Sequence, residues 1–299
     1  MKIQLTQDIA MPTVGFGTYL MDDKQAEVSV THALKAGYRH IDTAEGYQNE
    51  AGVGRAIHAT DISRDEIFVT TKLWPGNPAW GHPVKDRATT LAALDQSLEK
   101  LGLDYVDLYL IHAPFAGSKR LEQWEALIAL REQGKARAIG VSNFAQAHIE
   151  EIRAAGLSLP DANQIELHPW CQKPDLTSYL AKEDISIIAY SSLVPLAEWR
   201  TAEGHDSAKS DKMRQDGAKP DSPIKGLASK YEVAEAQILL RWGLQKGYGI
   251  LPKSTNPERI RQNIDLFSFE LDDGDMKLLA DMNRGGGVAW ASGDPTQQG

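Results

Sequence analysis

The chain is poor in the residues that would take it outside ordinary globular chemistry. One cysteine, Cys171, in 299 residues rules out an intramolecular disulfide framework and fits a reducing compartment. A lone thiol of this kind reads as a small packed side chain. No run approaches the ~20 consecutive apolar residues of a membrane span, and the opening Met1, Lys2, Ile3, Gln4 carries no charged-then-apolar leader. Excess positive charge is missing as well. Against 41 Asp and Glu stand 32 Lys and Arg, for a formal net charge of -9, so neither nucleic acid nor an acidic membrane is an expected partner. GxxxxGK[ST], HExxH and CxxC do not occur, and no metal is expected. Gly15-Phe16-Gly17 is followed by Thr18, Tyr19 and Leu20, so a dinucleotide fingerprint would lack its third glycine. A nicotinamide site, if present, must therefore be built differently from the Rossmann one. The absences together lead us to expect a soluble, cytoplasmic protein.

What is present is an alternation. Short β-rich runs alternate with amphipathic segments, which argues for βα units around a parallel sheet rather than a sandwich. Eight strands are predicted, over 14–18, 38–42, 67–72, 107–112, 138–143, 163–168, 186–191 and 249–254. The clearest helix is predicted over 87–101, where Leu91, Leu94, Leu98 and Leu101 recur at three- and four-residue steps and Gly102 follows as a stop. Further helices are predicted over 25–35, 122–131, 145–155 and 234–245, with a small hairpin over 1–11 closing the barrel bottom. An α/β fold of the (β/α)8 TIM barrel type, ~250 residues, fits with room for insertions, and residues 1–299 are expected to form a single domain. One stretch breaks the rhythm. Residues 195–223 are polar, with only scattered large apolar side chains such as Leu196, Trp199 and Met213, and are expected to form a long loop after the seventh strand that serves as a mobile cover.

Asp42, Tyr47, Lys72 and His112 lie far apart in sequence, yet each falls at or just beyond the C-terminal end of a predicted strand. In a parallel barrel those ends converge on one face. An acid, a phenol, an amine and an imidazole are therefore expected in one pocket, a combination that can donate a proton to a carbonyl.

The runs GFGT from Gly15, GYRHIDTAEGY from Gly37, TKLW from Thr71, LIHAP from Leu110, IGVSNF from Ile139, NQIELHP from Asn163 and ILPKSTNPERI from Ile250 occur in this order. On them the chain resembles the aldo-keto reductase family over nearly its whole length. The resemblance implies an eight-stranded barrel that reduces aldehydes, with ketones or sugars as further substrates, to alcohols using NADPH. It implies that Tyr47 is the general acid, that the Lys72 ammonium, held by Asp42, favours the tyrosinate, and that His112 orients the carbonyl. By the same resemblance Ser142, Asn143 and Gln164 hold the nicotinamide carboxamide and Tyr190 stacks on its face. Ser191 and Leu193 meet the pyrophosphate, Lys253, Ser254 and Arg259 grip the 2′-phosphate, and Asn263 contacts adenine. Two cations and a hydroxyl suit a phosphate dianion better than a ribose hydroxyl, which favours NADPH (NADP+) over NADH.

Tyr19 and Trp74, with His112, are the expected substrate wall, and Trp80, Trp199 and Trp290 are further candidates. The chain departs from the family pattern at three places. Ala113 stands where many members carry tryptophan, which would widen the pocket; Gln262 replaces a frequent glutamate; and residues 195–223 are longer than the usual loop. The expected partner is a small-molecule carbonyl compound, and a monomer is favoured. A nucleotide-binding regulatory or structural module with little turnover would not need the complete tetrad, and a barrel isomerase or hydrolase would leave Lys253 with Arg259 unexplained.

Overall fold

In the computed structural model, which describes residues 1–196 and 208–298, the chain opens with β1 (Lys2–Gln4) and β2 (Ala10–Pro12), paired antiparallel as the expected hairpin. Eight parallel strands follow: β3 (Phe16–Gly17), β4 (His40–Asp42), β5 (Phe68–Leu73), β6 (Val106–Ile111), β7 (Ala136–Ser142), β8 (Ala162–Glu166), β9 (Ser186–Tyr190) and β10 (Gly249–Ile250). Each bonds to the next in chain order. The sheet closes on itself where Val14 bridges Ile250, with Gly15 N donating to Ile250 O at 2.9 Å and Ile250 N to Thr13 O at 2.8 Å. With helices between the strands, this is the (β/α)8 barrel. The first and last barrel strands are shorter than predicted, two residues each. Pro252 has no N–H to extend the ladder, and only its carbonyl takes part, accepting from Gly17 N at 3.0 Å.

The helices are α1 (Asp23–Lys35), α2 (Glu50–His58), α3 (Arg87–Leu101), α4 (Arg120–Glu132), α5 (Gln146–Ala154), α6 (Pro174–Lys182), α7 (Ala208–Ala218), α8 (Pro223–Tyr231), α9 (Glu235–Gln245), α10 (Pro257–Ile264) and α11 (Asp273–Ala280). The helix α3 has the predicted bounds. Asp86 caps it by accepting from Thr89 N at 2.9 Å, its buried face carries Leu94, Leu98 and Leu101, and Gly102 ends it at φ 65° in the left-handed region.

The reading of 195–223 as one long loop is corrected, because its described part contains α7. Lys, Met, Arg and Gln are good helix formers, and the buried Met213 joins Trp170 and Val194 in a small apolar cluster. Residues 197–207, with Trp199, lie outside the described residues. Among the described residues no helix is long and apolar enough to cross a membrane.

The hairpin fills the lower end of the barrel. Leu5, Ile9 and Met11 pack with Phe68, Leu108, Leu110, Ala138, Ala162 and Ile188, one cluster inside the strands, while a larger one lies between strands and helices.

Candidate active site

Strand alternation decides which side chains meet. Successive residues of a strand face opposite sides of the sheet. Phe68, Leu108, Ala138, Ala162 and Ile188 all belong to the interior cluster, so every second residue beyond them points inward too: Lys72 on β5, His112 just past β6, Ser142 on β7, Gln164 on β8 and Tyr190 on β9. Asp42 ends β4 in register with Thr70. The upper mouth of the barrel is therefore polar because these strands change composition at their ends. Tyr47 comes from a single 3-10 turn after β4, Glu45–Tyr47, which stops at Gln48 with φ 56°.

Five of these groups form one compact array. Lys72 is fully buried and donates to Asp42 Oδ1 at 2.6 Å, to Thr43 O at 2.8 Å and to Tyr47 Oη at 3.5 Å. Gln164 Nε2 donates to the other Asp42 oxygen at 2.8 Å. The His112 ring lies edge-on to Tyr47 with centroids 5.5 Å apart. Burial holds His112 well below the ordinary imidazole pKa, and the Lys72 ammonium pushes the same way. The ring is thus neutral near pH 7.

The pKa of Tyr47 runs opposite to the sequence expectation. Burial first, then the Asp42 carboxylate and Tyr19, hold the phenol well above its ordinary value. Lys72 does not reverse this, because its short contact to Asp42 spends much of its field and burial lowers its own pKa. The phenol keeps its proton.

Beside this array Asn143 sits in the left-handed region, φ 64°. It donates from Nδ2 to His112 O at 2.9 Å and accepts at Oδ1 from Tyr190 Oη at 2.7 Å. Ser142 Oγ donates to Gln164 O at 2.8 Å. All of these line one cavity of about 1740 Å³, which also takes in Ser191, Leu193, Lys253, Ser254, Arg259 and Asn263. Every expected cofactor residue therefore borders the same space. Ser191 is again left-handed, φ 54°, and Ser254 Oγ accepts from Asn256 N at 3.1 Å beneath the start of α10.

The side of the cavity beside Tyr47 and His112 is aromatic. Tyr19 lies 5.1 Å from Tyr47 and Trp74 5.9 Å from His112, centroid to centroid. Trp80 is near parallel to Trp74 at 5.8 Å, and Trp290 lies 6.0 Å from His112. Ala113 is fully buried and does not border the cavity. Gln262 does border it, next to Asn263. Sequence reasoning missed several lining groups. Ser192, whose buried hydroxyl has no hydrogen-bond partner among the described residues, was one residue from a named position; Lys225 and the first turn of α9 carry no motif.

Residues 9–284 match the Aldo/keto reductase family. An aldo-keto reductase of Mycolicibacterium smegmatis is 38% identical over 285 residues, 95% of this chain and 94% of that one. The methylglyoxal reductase of Yersinia pestis is 37% identical over 284 residues, 95% and 93% of the two chains. The crystal structure of a Bombyx mori aldo-keto reductase in complex with NADP, 35% identical, superposes with a TM-score of 0.82 over 95% of this chain and 93% of that one. Kinship over almost the full length, carried by the same closed barrel, makes this chain a member of the aldo/keto reductase family of oxidoreductases.

Proposed function

We propose that the protein is an NADPH-dependent oxidoreductase that reduces aldehydes, and with them ketones or sugars, to alcohols. The observation that carries this reading is the contact of Tyr47 with buried Lys72, itself paired with Asp42, beside the His112 ring. A bound nicotinamide supplies a hydride to the carbonyl carbon. The neutral His112 ring has one N–H to donate and borders the cavity beside Tyr47, so it is the group we assign to orienting the carbonyl oxygen. As negative charge develops there, Tyr47 passes its proton to that oxygen and Lys72 stabilises the tyrosinate left behind. Solvent then returns a proton to Tyr47.

The cavity fits the proposed cofactor. At about 1740 Å³ it exceeds the roughly 300–1,000 Å³ of most small-ligand sites and suits a dinucleotide. Ser142, Asn143, Gln164 and Tyr190 would hold the nicotinamide end, Ser191, Ser192 and Leu193 the pyrophosphate, and Asn263 the adenine. Lys253, Ser254 and Arg259 would bind the 2′-phosphate, which favours NADPH.

Oxidation of NADPH with a nitrobenzaldehyde tests the reading. Steady turnover that Tyr47→Phe abolishes is the expected result. Tight nucleotide binding with no turnover across aldehydes, ketones and sugars would instead indicate a nucleotide-binding module.

A further inference from the structure

The turn that carries Tyr47 has little of its own to hold it. Glu45–Tyr47 is a single 3-10 turn, and Ala44 before it supplies no side-chain cap. One such turn is too short to be stable alone. After Tyr47 the chain is anchored by the fully buried Asn49, which accepts from Thr43 Oγ1 at 2.8 Å and donates to Thr18 O at 2.9 Å and to Met21 O at 3.0 Å. Before it the anchor is Glu45.

Glu45 reaches the strand that carries the tyrosine's partner. Its Oε2 accepts from Trp74 N at 2.8 Å, while Lys85 Nζ donates to Glu45 Oε1 at 3.0 Å, to Oε2 at 3.3 Å and to Trp74 O at 2.6 Å. Acid and amine thus satisfy both backbone groups of Trp74, the first residue past β5. Tyr47 stands two residues after Glu45 and Lys72 two before Trp74. The bond from Glu45 to Trp74 therefore ties together the two short stretches whose other ends meet as Tyr47 Oη and Lys72 Nζ, 3.5 Å apart. That contact is at the long limit of hydrogen bonding and too slack to hold the phenol by itself. Lys85 is fixed in turn. Its own N donates to Pro75 O at 3.1 Å, and the buried Gln123 of α4 donates to Lys85 O and to Pro75 O, at 2.9 Å each. The side chains of Lys85 and Glu45 are only 21% and 23% exposed, so solvent and salt screen this pair less than one on the open surface.

We propose that Glu45 is a positioning residue which, paired with Lys85, pins the turn to the end of β5 and so sets where the Tyr47 hydroxyl stands relative to Lys72 and the reacting carbonyl. The proposal rests on the carbonyl-reducing function argued above, in which Tyr47 gives the proton. Glu45 borders the cavity, but both its oxygens are engaged by Lys85 and Trp74, so its part is played through Tyr47. Without the clamp the phenol stays in the site and is misplaced, and a displacement of about 1 Å can cost ~10²-fold in rate.

Kinetics of the full chain with a nitrobenzaldehyde test this. Glu45→Ala should lower kcat at least about tenfold, while the NADPH Kd by fluorescence titration stays within about twofold. Glu45→Gln still accepts from Trp74 N and should recover most of the loss. The sharper comparison is made on Tyr47→Phe. With the phenol gone there is no proton donor to position, so adding Glu45→Ala should change the residual kcat by less than about twofold. A loss as large as in the wild-type background would mean that Glu45 acts on the fold at large and would overturn the proposal, as would wild-type kcat in Glu45→Ala. Lys85→Met removes the same ion pair and takes the place of Glu45→Ala if that variant does not fold. Amide hydrogen exchange, without nucleotide or substrate, separates the clamp from the chemistry. Tyr47 N, Gln48 N and Trp74 N, bonded in the wild type to Ala44 O, Glu45 O and Glu45 Oε2, should exchange at least about tenfold faster in Glu45→Ala. Failure of the wild type to reduce the aldehyde would sink the functional reading instead, and exchange would still decide the clamp: wild-type rates in both Glu45→Ala and Lys85→Met overturn it.

Discussion

Tyr47 and His112 illustrate how one buried environment sets two protonation states with opposite signs. Burial disfavours the charged form of each, which raises the phenol and lowers the imidazole. A general acid must hold its proton until charge develops, and a group that orients a carbonyl by donating N–H does so in the neutral form. Reduction should therefore run on a pH plateau. With the Tyr47 pKa raised and the His112 pKa lowered, neither changes state between about pH 6 and 9, and kcat for a nitrobenzaldehyde should be flat there. A break near the ordinary histidine value of ~6.5 that disappears in His112→Gln would show that the ring titrates after all. Replacing the acid itself is more drastic. Tyr47→Phe should lower kcat by at least ~10², the usual scale for losing a general acid, while nucleotide affinity by fluorescence titration stays within about twofold. Lys72→Met should be comparably harmful, because it leaves the Asp42 carboxylate buried beside Gln164 without its cation. Retention of half the turnover by Tyr47→Phe would move the proton source elsewhere.

The helices differ in how plainly their sequences declare them, and the cause is what each one packs with. The helix α3 was legible because leucines make its buried stripe, Asp86 caps it and Gly102 stops it. By contrast α2 was not, since two of its inward positions are glycines. A Cβ on Gly52 would meet Asp23 O at 1.9 Å and one on Gly54 would meet Leu101 O at 2.3 Å, so α2 is wedged between its neighbours by absent side chains, and its apolar stripe shrinks to Val53, Ala56 and Ile57. The helix α7 hid for another reason: it is polar and anchors through Met213. The site shows the same contrast. Asp42, Lys72, His112 and Gln164 could be placed from strand parity and the motifs around them, whereas Glu45 engages the backbone amide of Trp74, and any residue can supply an amide. The α2 argument predicts two opposite outcomes for one substitution. Gly54→Ala should destabilise the fold by roughly 1–3 kcal/mol through overpacking. Gly226→Ala, in α8 with nothing within 4 Å of the added Cβ, should stabilise it by about 0.5–1 kcal/mol. Urea denaturation of the two variants decides this, and equal shifts would mean that space at Gly54 is not what excludes a side chain.

At the scale of the whole molecule, the cavity is a junction of parts that lie far apart in the sequence. Its lining comes from the ends of barrel strands, from the loop after β9, from α8, α9 and α10, and from the C-terminal segment around Trp290. A ligand that spans these parts stabilises the folded chain as a unit, because it binds the native state and not the unfolded one. At a concentration of 100 Kd the gain is ~2.7 kcal/mol, which for a protein of this size is roughly 5 °C in Tm. NADPH should produce that shift. The size of the shift then reports the 2′-phosphate. A hydrogen bond to a charged group is worth ~1.5–3 kcal/mol, so Arg259→Ala should weaken NADPH about 10- to 100-fold. At the same nucleotide concentration its stabilisation should fall to ~0.4–1.4 kcal/mol, while the smaller shift produced by NADH should barely change. Thermal unfolding of both proteins with both nucleotides gives the answer in one comparison. If Arg259→Ala loses the NADH shift in equal measure, the arginine contacts a part common to both nucleotides and the preference for NADPH must come from Lys253 and Ser254 alone.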